Sequence, residues 1–266
     1  PVAQPNQTPR ELQQILVRVL PVVPRDLVVL AVGVVVALLR AADLVAAEDH
    51  GHPRREQQRP EQVAAHPRAE EVLSGRVVRT LTGLVTRAYD TADLPTPRTQ
   101  LLSNGTYTLM ITTAGSGYSR SGPLAVTRWR EDPTRDHWGS FIYVRDIRSG
   151  AVWSTGHQPI PAKAQDYEVA FSEDKADFWR RDSGIVTHME VIVSAEENAE
   201  MRRVSVTNFG NRPREIELTS YSEVVLAPQA SDVAHPAFSN LFVETEFQGR
   251  HNTLFARRRP RSSEDK

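Results

Sequence analysis

The sequence predicts an all-β fold, an antiparallel β-sandwich preceded by a poorly structured or partly helical segment. Two observations carry this. From Tyr107 onward, short runs rich in β-branched and aromatic residues recur with turn signals between them, at the spacing of about 8 to 12 residues that marks a sandwich or barrel. Before Pro95 the only aromatic residue is Tyr89, and every other Phe, Trp and Tyr falls from Tyr107 on. The large rings that dominate core burial are therefore confined to the second part of the chain.

Composition sets the outer limits. A length of 266 residues allows one large or two small domains. The net charge of −1, from 32 basic and 33 acidic residues, creates no global field that would draw in nucleic acid, so no nucleic-acid partner is expected. Cysteine is absent, which excludes disulfides and thiolate metal sites. Only Lys163, Lys175 and Lys266 are lysines, an arginine excess of the kind a GC-rich genome produces.

Residues 1–95 read as a low-aromatic leader. Pro1 is not an initiator residue, so a processed chain or a fragment is expected. Leu27–Leu39 is an apolar run of 13 residues, short of the roughly 20 that span a bilayer. It follows Pro21 and Pro24 rather than a short basic start, and no small-residue cleavage site comes after it, which argues against a signal peptide. One helix over 27–47 is expected there. A second reading is translation out of frame before about Pro60, since Val, Ala, Arg and Pro in excess without Lys or aromatics is the signature of a shifted GC-rich frame. Residues 51–71 are charged and Pro-punctuated, as a linker is. Arg76–Thr86 alternates and predicts a first strand, and Leu94-Pro95-Thr96-Pro97 enforces extended geometry ahead of a sandwich domain over 96–266.

Within that domain, Tyr107–Thr113, Leu124–Arg130 and Ser140–Arg145 read as strands. Asn104-Gly105 supplies the positive φ of a tight turn and folds Leu101–Leu109 into a hairpin; Asn104-Gly105-Thr106 also fits a glycosylation sequon, but nothing marks a secreted chain. Further strands are expected at Asp166–Phe171, Ala176–Arg181, Ile185–Val193, Met201–Asn208, Glu215–Leu226, Asn240–Phe247 and Thr253–Arg258. Arg148-Ser149-Gly150, Asp182-Ser183-Gly184 and Asn208-Phe209-Gly210-Asn211 supply turn residues between them. Ile216 and Leu218 alternate with Glu215, Glu217 and Thr219, as do Val204 and Val206 with their polar neighbours, so these strands have one buried and one wet face. The sandwich is expected to be incomplete at its carboxyl end, beyond Arg257-Arg258-Arg259-Pro260-Arg261.

Few constellations carry chemistry. Gly115-Ser116-Gly117-Tyr118-Ser119-Arg120 begins like a dinucleotide fingerprint but ends on Arg120, outside a strand-then-helix unit; a loop with close backbone approach fits better, and no cofactor is expected. Glu131, Asp132 and Asp136 could pair as glycosidic carboxylates, but Arg128, Arg130 and Arg135 interleave with them as in a salt-bridged loop. His137, His157, His188 and His235 lack ligand spacing, and His188-x-Glu190 alone is weak, so no metal is expected. No nucleophile elbow is present. Trp129, Trp138, Trp153, Tyr118 and Tyr143 are the aromatic rings on which sugar faces could stack, with Arg and Asp bonding hydroxyls. Tyr118, Arg120, Arg128 and Trp129 are the candidates for a sugar-facing loop. No catalytic residue is assigned.

The blocks SNGTYTLMITTAGSGYSR, LAVTRWREDPTRDHWGSFIYVRD, WSTGHQP, DYEVAFSEDKADFWRRD and REIELTSYSEVVLAPQASDVAHPAFSNLFVETEF resemble, in order, the amino-terminal supersandwich domain of the phosphorylase region of bacterial cyclic β-1,2-glucan synthases. That domain belongs to glycoside hydrolase family 94, formerly glycosyltransferase family 36, with the cellobiose and chitobiose phosphorylases. The family commonly carries Trp after Gly-Tyr-Ser-Arg; here Ser121 stands there. The resemblance implies a carbohydrate-binding or structural sandwich inside a larger synthase or phosphorylase acting on β-linked glucans. Its partners would be a β-glucan or oligosaccharide, the helical barrel of the same parent that holds the catalytic and phosphate-binding residues, and a homodimer contact. It implies a cytoplasmic parent attached to the inner membrane, and an isolated chain without activity. The alternatives are a stand-alone carbohydrate-binding module and a purely structural interaction domain.

Overall fold

The computed structural model describes residues 22–23, 32–37, 76–79, 85–94, 97–131, 136–249 and 253–260. Its strands are β1 Val22–Val23, β2 Val32–Ala37, β3 Arg76–Arg79, β4 Val85–Tyr89, β5 Thr99–Ser103, β6 Tyr107–Thr112, β7 Gly117–Ser121, β8 Leu124–Thr127 and β9 Ser140–Asp146. They continue with β10 Val152–Ser154, β11 Asp166–Phe171, β12 Lys175–Asp182, β13 Ile185–Val193, β14 Ala199–Asn208, β15 Arg214–Ser222 and β16 Val224–Pro228. Two short helices follow, α1 Gln229–Ala234 and α2 Pro236–Asn240, and then β17 Val243–Gln248 and β18 Thr253–Arg258.

Every described strand pairing is antiparallel. A seven-stranded sheet runs β2-β14-β13-β12-β11-β4-β3, a five-stranded one β16-β8-β7-β6-β5, and a four-stranded one β1-β15-β9-β10; β17 and β18 form a separate ribbon. One core lies between the large sheet and the two smaller ones. Val169, Phe171, Phe178, Ile185, Met189, Val191, Val204 and Val206 come from the large sheet, and Leu109, Ile111, Ile142, Val144, Trp153, Ile216 and Leu218 from the others. Strand β13 shows why: Ile185, Thr187, Met189 and Val191 are buried while their neighbours are partly exposed, the period of two that commits one face to the core.

The Asn104-Gly105 turn is present, with Gly105 at φ +95° and Leu102 opposite Leu109. The Asn104 side chain does more than shape the turn. Its Oδ1 accepts from the Thr106 and Tyr107 amides at 3.0 and 2.8 Å, and its Nδ2 donates to the Ser194 and Glu197 carbonyls at 2.9 Å each. The hairpin is thereby tied to the β13–β14 turn by an amide nitrogen already committed to the protein.

Five expectations need correction. Arg76–Thr86 is not a single first strand: it holds β3 and the start of β4, which pair antiparallel with each other. Within the helix candidate 27–47, Val32–Ala37 is strand β2, paired with β14 along Ala199–Val204. The β-branched Val32, Val34, Val35 and Val36 favour a pleated strand at an open sheet edge over a helix. The other residues of that candidate and the linker 51–71 lie outside the described residues. The boundary at 95/96 cuts through a sheet, because β4 pairs with β11 through Arg87, Ala88 and Tyr89. The strand expected at Leu124–Arg130 ends at Thr127, since Arg128 turns to meet acidic side chains. Glu215–Leu226 is two strands in different sheets, β15 and β16, separated at Glu223, with Leu226 at φ +51° in an irregular register.

Asp146 closes the β9–β10 turn. Ser149 Oγ donates to it at 2.6 Å and the Arg148 amide at 3.1 Å, and Arg214 reaches it from β15, with Nε at 3.1 Å. Burial opposes its ionisation, but the Ser149 and Arg214 bonds outweigh this and hold the carboxyl below its ordinary 3.8. Its stabilising contribution is therefore complete above about that value and is lost as pH falls through the lower, folded one. Denaturant midpoints measured from pH 6 to pH 3 should drop at the acid end, and Asp146→Asn should lower the neutral-pH midpoint and flatten the drop. An unchanged acid slope in the variant would refute this.

Candidate functional site

Strand β7 sorts its side chains by parity. Ser119 points inward, its Oγ hydrogen-bonded to Glu200, while Tyr118 and Arg120 leave the opposite face. All four residues singled out from the sequence, Tyr118, Arg120, Arg128 and Trp129, line one open concavity of about 350 Å³, solvent-open space included. Ser119, Pro123, Ala125 and Thr127 complete its wall on this side, and Val225, Gln229 and Asp232 close it from β16 and α1.

The aromatic part is a Tyr118–Trp129 edge contact, ring centroids 5.6 Å apart at 60°, which leaves ring surface for stacking. The two arginines are held internally. Arg120 folds back so that Nε and Nη2 donate to the Gly122 carbonyl at 3.2 and 3.1 Å. Arg128 is buried, with Nε and Nη2 on the Asp232 carboxylate at 3.1 and 3.0 Å and further bonds to Glu223 and Asn240. Arg130 adds an ion pair to Asp232 at 2.9 Å. Burial disfavours the charged guanidinium of Arg128, but Asp232 and Glu223 reverse this and raise its pKa. The lining thus offers stacking surface and hydrogen-bond groups.

Sequence reasoning missed Gln229 and Asp232. Pro228 just ahead of α1 and Pro236 opening α2 were the available signals, but the pairing of Asp232 with Arg128 joins positions far apart in the chain.

Elsewhere, His188-x-Glu190 gains a third group. Asp177, His188 and Glu190 offer ligand atoms within 4.8 Å of one another. Lys175 Nζ already stands 2.9 Å from Asp177 and 3.6 Å from Glu190, and Arg203 pairs with Glu190, so the carboxylates are neutralised within the protein. His188 stacks on Trp179 at 4.5 Å. At the loop end of the sandwich, burial raises the Asp136 carboxyl and lowers the His157 imidazole. Glu131 is exposed, and Asp132 and Arg135 lie outside the described residues. No described helix is long and apolar enough to cross a membrane.

A large antiparallel sheet closed over two smaller ones around a single core is the architecture of a β-supersandwich. The chain belongs to the glycosyl hydrolase 94 supersandwich domain family, whose model matches residues 83–266. That match begins on the amino-terminal side of β4, as the sheet pairing requires. The chain is 41% identical over 167 residues to the cyclic beta-(1,2)-glucan synthase NdvB of Rhizobium meliloti (strain 1021), covering 63% of this chain and 6% of that protein. It is 31% identical over 164 residues to the N,N'-diacetylchitobiose phosphorylase of Vibrio furnissii, covering 58% of this chain and 20% of that protein. A cellobionic acid phosphorylase of Neurospora crassa is 32% identical over 87 residues, 32% of this chain and 11% of that protein. The chain therefore spans a small part of the length of these relatives.

Proposed function

We propose that this domain binds a β-linked glucan or oligosaccharide at the Tyr118–Trp129 concavity, as the sandwich of a larger glucan synthase or glycoside phosphorylase whose catalytic groups lie in a separate helical barrel. The observation that carries the reading is the convergence of four residues, chosen from sequence as sugar-facing, on one concavity with an aromatic pair at its wall. The relatives' own names, a β-1,2-glucan synthase and disaccharide phosphorylases, support the ligand class. Phe238 on α2, Leu241 just after it and Phe247 on β17 are exposed, and suit a second task of bracing the barrel or a second subunit, since exposed apolar groups can mark contact sites.

Calorimetric titration of the chain with β-1,2-linked gluco-oligosaccharides should give saturable binding. Trp129→Ala should lose most of it, because stacking area is the main apolar contribution at such a site. Phosphate added to the same mixture should release no sugar phosphate. A wild-type chain with no saccharide affinity, or a Trp129→Ala variant with full affinity, would sink the reading.

A further inference from the structure

We propose that Gln229 reads the ligand at this site by pairing with two adjacent hydroxyls of one glucosyl unit, and that Arg128 serves it by holding α1 in place. The proposal rests on the carbohydrate reading of the concavity. Gln229 is the first residue of α1, is exposed, and faces the same concavity as Tyr118 and Trp129. Its amide takes part in none of the bonds that lock the polar residues around it, whereas Arg120 is turned to Gly122 and Arg128 to Asp232. A primary amide places a carbonyl acceptor beside an N–H donor. Two adjacent equatorial hydroxyls, one donating and one accepting, match that pair.

Helix α1 has six residues and no side-chain cap, too few to hold itself in water. What fixes it is Asp232, one turn on from Gln229 and therefore its neighbour along the helix. The Arg128 guanidinium grips Asp232 through two parallel bonds, and Arg130 Nη2 bonds both its carboxylate at 2.9 Å and its main-chain carbonyl at 3.1 Å. Two-point pairing of this kind fixes direction as well as distance. Arg128 is thus a positioning residue, and Gln229 the ligand contact.

The ligand chemistry follows. Internal units of a β-1,2-glucan keep an adjacent 3-OH and 4-OH, and those of a β-1,4-glucan keep the 2-OH and 3-OH. Internal units of a β-1,3-glucan have no adjacent pair. Titration of the full 266-residue chain with long linear β-1,2-, β-1,4- and β-1,3-glucans, compared per glucosyl unit, should show the first two binding and the third weaker. Gln229→Ala should weaken β-1,2-glucan binding about 3- to 10-fold, the worth of an uncharged hydrogen bond, and should remove the discrimination against β-1,3-glucan. Arg128→Met should weaken binding in the wild-type background and add nothing in the Gln229→Ala background, a non-additivity that a general loss of structure would not produce. If Arg128→Met fails to fold, the exposed Gln229→Ala still decides through its β-1,2 to β-1,3 ratio. Loss of binding in Trp129→Ala with an unchanged ratio in Gln229→Ala would overturn this proposal and leave the carbohydrate reading standing. A wild-type chain that binds none of the three glucans would overturn both.

Discussion

Glu200→Ala is expected to remove about 3–5 kcal/mol of folding stability, the cost of breaking a buried ion pair from one side. Glu200 is fully buried and Arg202 is 3% exposed. Arg202 Nε donates to Glu200 Oε1 at 3.0 Å, and its Nη1 donates to the Ser140 carbonyl at 2.7 Å. On the other carboxylate oxygen, Tyr107 Oη donates at 3.2 Å, alongside Ser119 Oγ. Burial pushes the Tyr107 hydroxyl well above its ordinary pKa, so it stays neutral and remains a donor. The partners come from β14 in the large sheet, β6 and β7 in the five-stranded sheet and β9 in the four-stranded one. The ion pair therefore joins all three sheets, the carboxylate bonding β6 and β7 and the guanidinium reaching β9. Without the carboxylate, a buried guanidinium and two hydroxyls lose their acceptor together, and each such orphan carries a desolvation cost. Guanidinium unfolding of the purified variant measures the loss, and a change below about 1 kcal/mol would contradict the account. The double variant Glu200→Leu/Arg202→Leu should recover part of the loss, because replacing both charges removes the desolvation along with the pair.

That cluster also shows where the sequence was legible and where it was not. Strand Ile185–Val193, with clean alternation and turn residues ahead of it, matches its expected bounds, since one face is apolar and the break is marked locally; Thr253–Arg258 also matches, without that alternation. In β14 the same alternation, carried back from Val206 and Val204, places Arg202 and Glu200 on the core face. Two opposite charges in phase with the valines are a readable sign of a buried pair, though their acceptors and donors on β6, β7 and β9 are not. Arg180 is similar: it falls in phase with Ala176 and Phe178 and bonds the Gly156 and Ala162 carbonyls at 2.8 Å each, pinning a loop no local pattern would connect to it. The concavity was half legible. Its aromatic pair lies within one segment, Gly117–Trp129, and could be picked by residue type. Its far wall, α1, comes from about a hundred residues later, and is bound to Arg128 by a carboxylate that looked like one surface charge among many. The break at Glu223 was hidden for the same reason, because the Arg128 amide bonds the Glu223 carbonyl at 2.9 Å and only the folded chain brings the two together.

Gly117→Ala should be the most damaging single methyl in the domain. A Cβ built on Gly117 would stand 1.9 Å from the Met110 carbonyl oxygen, 2.9 Å from its carbon and 3.0 Å from Ile111 Cα, all main-chain atoms of the adjacent strand. Flexible side chains can yield to such a contact, but a paired backbone cannot without opening the ladder. Here the ladder is pinned from the other side too, since the Gly117 amide donates to the Trp138 carbonyl at 2.8 Å. The expected loss is about 3 kcal/mol or more, the upper end of what overpacking costs. Gly105→Ala is the control: nothing lies within 4 Å of its Cβ, and only its positive φ opposes alanine, at roughly 1–2 kcal/mol. The glycine-rich run that begins like a nucleotide fingerprint is thus explained by strand-to-strand approach. A second consequence concerns the site, because Tyr118 is the next residue and pairs across to Met110. A shift that relieves the clash displaces Tyr118 along with it and disturbs its edge contact with Trp129. Saccharide affinity in Gly117→Ala should therefore fall further than in Gly105→Ala even at temperatures where both variants remain folded. Equal affinities in the two variants would show that the Tyr118–Trp129 geometry does not depend on the close approach of β6 and β7.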